Sequence, residues 1–239
     1  MEAVTKFFKE PAAGFLMKEE LHYLNRVMES PARPLVAVIG GAKVSGKLEV
    51  LKNLSLRVDK LIIGGGMAFT FLKAKGMNVG KSLVEDELLK TAQEILEAAS
   101  KKGVKVFLPV DCVVAEKMDP SARTQIVPVE QIPPYWMGLD IGPSTLNRFA
   151  DALKDAKTIL WNGPMGVFEM KPFSRGTMEM VQNIVNSGAV SIVGGGDTDT
   201  AVHQSGQAQK ISYISTAGGA FLELLEGKTL PGVEALKRQ

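Results

Sequence analysis

Leu35-Val36-Ala37-Val38-Ile39-Gly40-Gly41-Ala42-Lys43-Val44-Ser45-Gly46-Lys47 is the stretch on which the fold turns. Its apolar run does not alternate with polar residues, so both of its faces must be covered, as in a parallel strand between two layers of helices. Glycines close the run. The pattern recurs outward along the chain, predicting strands at Leu61–Ile63, Val104–Leu108, Thr158–Trp161, Ala189–Val193 and Ile211–Ile214. Between them, apolar residues at helical spacing predict helices over Leu16–Met28, Leu83–Lys102 and Arg175–Ser187, with another through Phe221–Leu225. Gly103, Gly188 and Gly227 stand where three of these should stop. Strands alternating with helices predict an α/β fold: a doubly wound, Rossmann-like, mainly parallel sheet with helices on both faces. Met118–Trp136, with Pro120, Pro128, Pro133 and Pro134, reads as an irregular excursion with a short extended piece at Ile126–Val129.

Bulk properties exclude several classes. A net charge of +2 is too small to argue for nucleic acid or a membrane surface. No apolar run reaches the roughly 20 residues that span a bilayer, and Met1–Lys6 does not open a leader. The one cysteine, Cys112, among Val110, Val113 and Val114, reads as a small buried hydrophobe in a reducing compartment. A cytoplasmic location is the expectation.

Ligands of open parallel sheets bind beyond the carboxyl ends of the strands, and those ends are glycine-rich here. Gly40-Gly41, Gly64-Gly65-Gly66, Asn162-Gly163-Pro164, Gly194-Gly195-Gly196-Asp197-Thr198 and Gly218-Gly219 each follow a predicted strand. Bare backbone and helix-start amides suit a polyphosphate. A P-loop is the weaker reading, because Leu48 stands where a metal-holding Ser or Thr should follow Lys47. No G-x-G-x-x-G follows the first strand either, which disfavours a dinucleotide enzyme.

Taken together, these loops resemble phosphoglycerate kinase. The match is carried by Gly40–Lys47, Ile63–Phe71, Met137–Pro143, Trp161–Glu169, Gly194–Thr198 and Gly218–Glu223, in the family's order and across nearly the whole chain. Gly46 and Ala217 depart from its pattern. The resemblance implies an inter-domain helix and connector over residues 1–33 and a nucleotide-binding domain over 34–239, with the family's amino-terminal glycerate domain absent. It implies Mg²⁺ with ADP or ATP, and 3-phosphoglycerate or 1,3-bisphosphoglycerate as partner only when that other domain is present. A stand-alone Mg-nucleotide binding module is the alternative.

An acceptor carboxylate is already ionised at neutral pH, so the implied transfer needs alignment and charge neutralisation rather than a general base. Accordingly His22 and His203, neither in a strand-end loop, read as surface residues. Lys43 is expected at a helix start, an awkward place for a cation unless an anion is bound, and by resemblance it follows the transferring phosphoryl group with Gly195 and Gly218. Lys47, one turn on, is expected to hold the nucleotide's phosphates. Asp197 is the expected Mg²⁺ contact, with Gly196, Thr198 and Asn162 on phosphate oxygens. Gly41, Ala42, Gly65, Gly66, Gly138, Leu139, Pro164 and Val167 are expected around the adenine, and Glu169 on the ribose. Met67, Phe69, Trp136 and Trp161 read as packing residues.

Overall fold

The computed structural model describes residues 12–237 together with Thr5, Phe7 and Phe8. Most of the opening stretch read for a leader lies outside the described residues, as do Arg238 and the side chain of Arg26. In chain order the elements are α1 (Phe15–Glu29), β1 (Leu35–Ile39), α2 (Leu48–Leu54), β2 (Lys60–Ile63), α3 (Met67–Ala74), α4 (Leu89–Lys101), β3 (Lys105–Phe107), β4 (Asp111–Ala115), β5 (Thr124–Pro128), β6 (Met137–Ile141), α5 (Pro143–Leu153), β7 (Thr158–Asn162), α6 (Arg175–Ser187), β8 (Val190–Gly194), α7 (Gly196–Gln204), β9 (Tyr213–Ser215), α8 (Gly219–Leu225) and α9 (Pro231–Lys237). Six strands form one sheet in the order β3-β2-β1-β7-β8-β9, every pair parallel. Strand order reverses between β1 and β7, and ligands of such sheets sit beyond that point.

β1 shows why its sequence does not alternate. Leu35, Ala37 and Ile39 enter one core with Leu51 of α2, Phe71 of α3, Ile95 of α4 and Phe221 of α8. Val36 and Val38 enter the other with Phe149 of α5 and Met180 and Ile184 of α6. Each large side chain buried this way contributes roughly 1.5–3 kcal/mol. Helix α1 joins the first core through Leu24 and Val27. Its Tyr23 stacks on Tyr213 with ring centroids 4.4 Å apart. Glu20, also on α1, accepts bonds from the Ser215 hydroxyl, the Thr216 amide and the Thr216 hydroxyl. Phe15 and Leu16, near the start of the same helix, are exposed.

Two features differ from the sequence reading. Met118–Trp136 is irregular apart from one short strand, β5, close to the extended piece expected at Ile126–Val129; what was not expected is that β4 and β6, which flank that stretch, join β5 in a second, antiparallel sheet in the order β5-β4-β6. β6 escapes a pattern search because it carries Gly138 and Asp140. The helix expected from Leu83 begins as a 3₁₀ turn at Asp86 and becomes α4 only at Leu89. Glu85 breaks it: its backbone is extended, its amide bonds the Thr70 hydroxyl and its carboxylate takes the Ser45 amide.

The small sheet is anchored at one buried node. The Asp111 carboxylate caps α5, taking the Ser144 amide at 2.9 Å and the Thr145 amide at 2.7 Å. The Thr145 hydroxyl lies 2.7 Å from the same carboxylate and accepts the amides of Val110 and Asp111. Charge-assisted bonds of this kind leave costly orphans when broken. Asp111→Ala is expected to lower unfolding stability by about 3 kcal/mol, read as a shifted urea midpoint.

Candidate functional site

Backbone sews the carboxyl ends of β1 and β7 together. The Gly40 amide bonds Asn162 O at 2.9 Å, and the Gly41 amide bonds Pro164 O at 2.9 Å. Lys47 Nζ donates to Gly40 O at 2.8 Å and to Asn162 O at 3.1 Å. An ammonium has three donors, so one remains. Burial lowers the pKa of Lys47 to about 8, with Asp197 pulling it back up.

Beyond this seam opens a cavity of about 450 Å³. Gly41, Ala42, Gly65, Gly66, Gly138, Leu139, Pro164 and Val167, all expected around one flat ring, line it together with Glu169 and Asp197. Gly65 shows how little room the lining leaves: its φ is +67, and an added Cβ would stand 2.6 Å from both N and O of Gly41. The wall of β6 is tied to the loop after β7 by the Val167 amide on Leu139 O at 2.9 Å.

The remaining predicted residues stand outside the lining. Lys43 is exposed on a loop ahead of the 3₁₀ turn Ser45–Lys47, not at a helix start, so it and Lys47 do not share a helix face. That loop is tethered by Glu85. Burial works against ionising Glu85, but the hydroxyl and amide of Ser45, with Lys43 beyond them, hold its pKa below the usual value. Asn162 is buried and gives its side-chain amide to Gly194 O at 2.6 Å, so it braces β7 against β8 instead of facing outward. Thr198 likewise turns its hydroxyl inward, where it accepts the Gly163 amide at 2.7 Å. Its backbone amide, with those of Gly196 and Asp197, opens α7, whose first bond runs from Asp199 to Gly195 O. Gly195 and Gly218 both have positive φ, and Ala217 does not need it.

Several lining residues were missed. Phe69, read as core, faces the cavity and packs so tightly on Gly138 that an added Cβ there would meet its ring at 2.0 Å. Lys81, Leu83, Met118, Met165 and Asp140 also line it. Lys81 sits over the Tyr135 ring, 5.5 Å from its centroid. Cys112 is buried as expected, and burial, with Asp111 nearby, pushes its thiol up to about 12, which makes it inert. Asp140 is buried too, and burial lifts its carboxyl to about 7 against the pull of two backbone donors. Both histidines stand away from the lining, and His203 pairs with Asp199.

Among the described residues no group of three His, Cys, Asp or Glu side chains could cage a metal. The donor set at this corner is one exposed carboxylate, Asp197, beside helix-start amides. It fits a hard cation carried mainly by ligand oxygens and water.

The sequence model of the phosphoglycerate kinase family matches residues 1–228. The chain belongs to the phosphoglycerate kinase family. A phosphoglycerate kinase of Geotalea uraniireducens is 64% identical over 237 residues, 99% of this chain and 59% of that protein. A solved phosphoglycerate kinase structure from Coxiella burnetii superposes with a TM-score of 0.94 at 46% identity, covering 98% of this chain and 60% of the other. That of Pyrococcus horikoshii gives 0.80 at 32% identity, over 94% and 56%. The chain thus spans about three fifths of the length of these relatives. No helix among the described residues is long and apolar enough to cross a membrane.

Gly65→Ala tests the seam directly. The left-handed backbone costs roughly 1–2 kcal/mol for any residue with a Cβ, and the contact with Gly41 adds to it. The urea midpoint should fall by more than that strain alone would give.

Proposed function

We propose that this chain is the nucleotide-holding part of a phosphoglycerate kinase, serving reversible, Mg²⁺-dependent phosphoryl transfer between 1,3-bisphosphoglycerate and ADP in glycolysis. What carries the reading is the cavity at the β1/β7 switch point: an apolar, glycine-lined slot that adjoins a corner of helix-start amides with one carboxylate. A purine suits the slot, the ribose hydroxyls suit exposed Glu169, and the polyphosphate suits the amides of Gly196, Asp197 and Thr198. Contacts to 3-phosphoglycerate belong to the remaining two fifths of a full-length relative. A cytoplasmic setting goes with the glycolytic role.

The residues then divide the work. Asp197 and phosphate oxygens would hold Mg²⁺, which would supply charge neutralisation on the transferring group. Lys43, exposed on its loop, adds positive charge where negative charge spreads over phosphoryl oxygens in a loose transition state. Lys47 adds positive charge from beneath the Gly40–Gly41 turn and can spend its third donor on a phosphate. Gly195 and Gly218 let the backbone come close. No side chain needs to act as base, because the acceptor is already a carboxylate.

Calorimetric titration with ADP, with and without Mg²⁺, tests the binding half; saturable binding strengthened by the metal is expected, and none at all overturns the reading. Lys43→Ala should leave MgADP affinity within a few-fold. In a full-length context it should cut turnover in an NADH-coupled assay on the order of 100-fold. The chain alone is expected to show little turnover. Lys47 predicts the alkaline limb. It is charged below about 8 and neutral above, so MgADP affinity should weaken as pH rises from 7 to 9, and Lys47→Met should flatten that decline.

A further inference from the structure

One buried carboxylate on the cavity wall has no part in the scheme above. Asp140 of β6 is 3% exposed, yet it lines the cavity. Its Oδ2 accepts the Gly176 amide at the start of α6 at 2.7 Å, and its Oδ1 accepts the Ile141 amide at 2.9 Å. The space around it is shaped for it. A Cβ on Gly166 or on Gly176 would stand 2.2 Å from Oδ1. The residue after Gly176 continues the tie: the Thr177 hydroxyl accepts the amides of Met165 at 3.0 Å and Gly166 at 3.3 Å. Beside the direct bond of the Val167 amide to Leu139 O, Asp140 and Thr177 therefore make a second connection from one wall of the slot, Gly138–Leu139 on β6, through the first residues of α6 to the Pro164–Gly166 end of the other wall.

We propose that Asp140 is a positioning residue for the slot, that its ionised carboxylate holds the two walls at ligand-binding spacing, and that nucleoside affinity consequently depends on pH. This rests on the cavity being the nucleotide site. The chemistry is direct. An ionised carboxylate accepts both amides with charge assistance; a protonated one is a weaker acceptor, and a proton on Oδ2 sets an O–H against the Gly176 amide, which loosens that bond. The group titrates in the useful range because burial raises it to about 7, against the two backbone bonds. The charges that face it are Glu179 and Arg175, paired with each other on α6. From β4 the neighbour in register is uncharged Val113, and from the loop it is Gly166. Asp111, two residues along β4, is committed to the cap of α5.

The sign follows from that direction. Above about 7 Asp140 is ionised and the walls are set; below it the binding-competent fraction falls in proportion to the ionised fraction. Adenosine is the probe, because it carries no phosphate to sense Lys47 and no group that titrates near neutrality. Calorimetry on the whole chain should show adenosine affinity falling about tenfold from pH 8 to pH 6. Asp140→Asn, which cannot ionise, should bind weakly at both pH values with a flat profile. Thr177→Val, which unties the opposite wall without touching a titrating group, should weaken binding but keep the wild-type pH dependence. A flat wild-type profile overturns the proposal whether or not the Asn variant folds. So does a folded Asp140→Asn protein with wild-type affinity and profile. If neither adenosine nor MgADP binds at pH 8, the nucleotide reading falls and this inference with it; binding with a flat profile removes only the role of Asp140.

Discussion

Two carbonyls that end neighbouring strands, those of Gly40 and Asn162, share the ammonium of Lys47, and the site is built around that arrangement. In a parallel sheet the strand carboxyl ends all point the same way, so partial negative charge gathers at this edge, where the proposed nucleotide would place its phosphates. A buried cation beneath the turn offsets it. The cost appears as desolvation of Lys47, and part of that is returned by Asp197 across the seam. With the seam closed, β1 and β7 present their loops at a fixed separation. The slot walls and the amides of α7 then take their places relative to it.

The cavity divides by polarity along its length. Toward β2 and β6 it is mainly backbone and hydrocarbon, with Lys81 and the Asp140 carboxylate as the charged groups there and Phe69 pressed onto Gly138 so that the wall has no slack. Toward β8 it is charged and open, with Asp197 exposed at the start of α7. The polar side chains between the strands, Asn162 and Thr198, are turned inward. They stiffen the seam between β7 and β8, and under the proposed function they would serve a ligand by placing amides rather than by contact through their own polar ends.

How much of this could be read beforehand varies by residue. β1 and α6 were legible to their ends because burial on both faces, or a clean helical stripe closed by Gly188, leaves a local signature. Gly41, Gly65 and Gly66 were legible because several glycine-rich strand ends must converge on one edge of a parallel sheet, whereas Gly138, on the antiparallel β6, was named only through the family resemblance. Glu85 was not, since what breaks the helix there is a bond to Ser45, distant in sequence. Phe69 and Asp140 were not for the same reason: one looks like core and the other like a strand interruption until β6 is placed against α3 and α6. The inward turn of Asn162 and Thr198 depends on the packing of β7 against β8, which no local pattern encodes.

The pairing of β1 with β7 has a kinetic side. Leu35 lies opposite Thr158, so the central seam of the sheet joins segments separated by most of the domain, including the whole antiparallel sheet. During synthesis β1 can zip with β2, and β2 with β3, early, but the other edge of β1 stays open until Thr158–Asn162 has emerged. Closing so long a loop is entropically slow, and the waiting edge of Leu35–Ile39 is apolar throughout. The strand that organises the finished site is therefore the one most exposed to mispairing while the chain is being made.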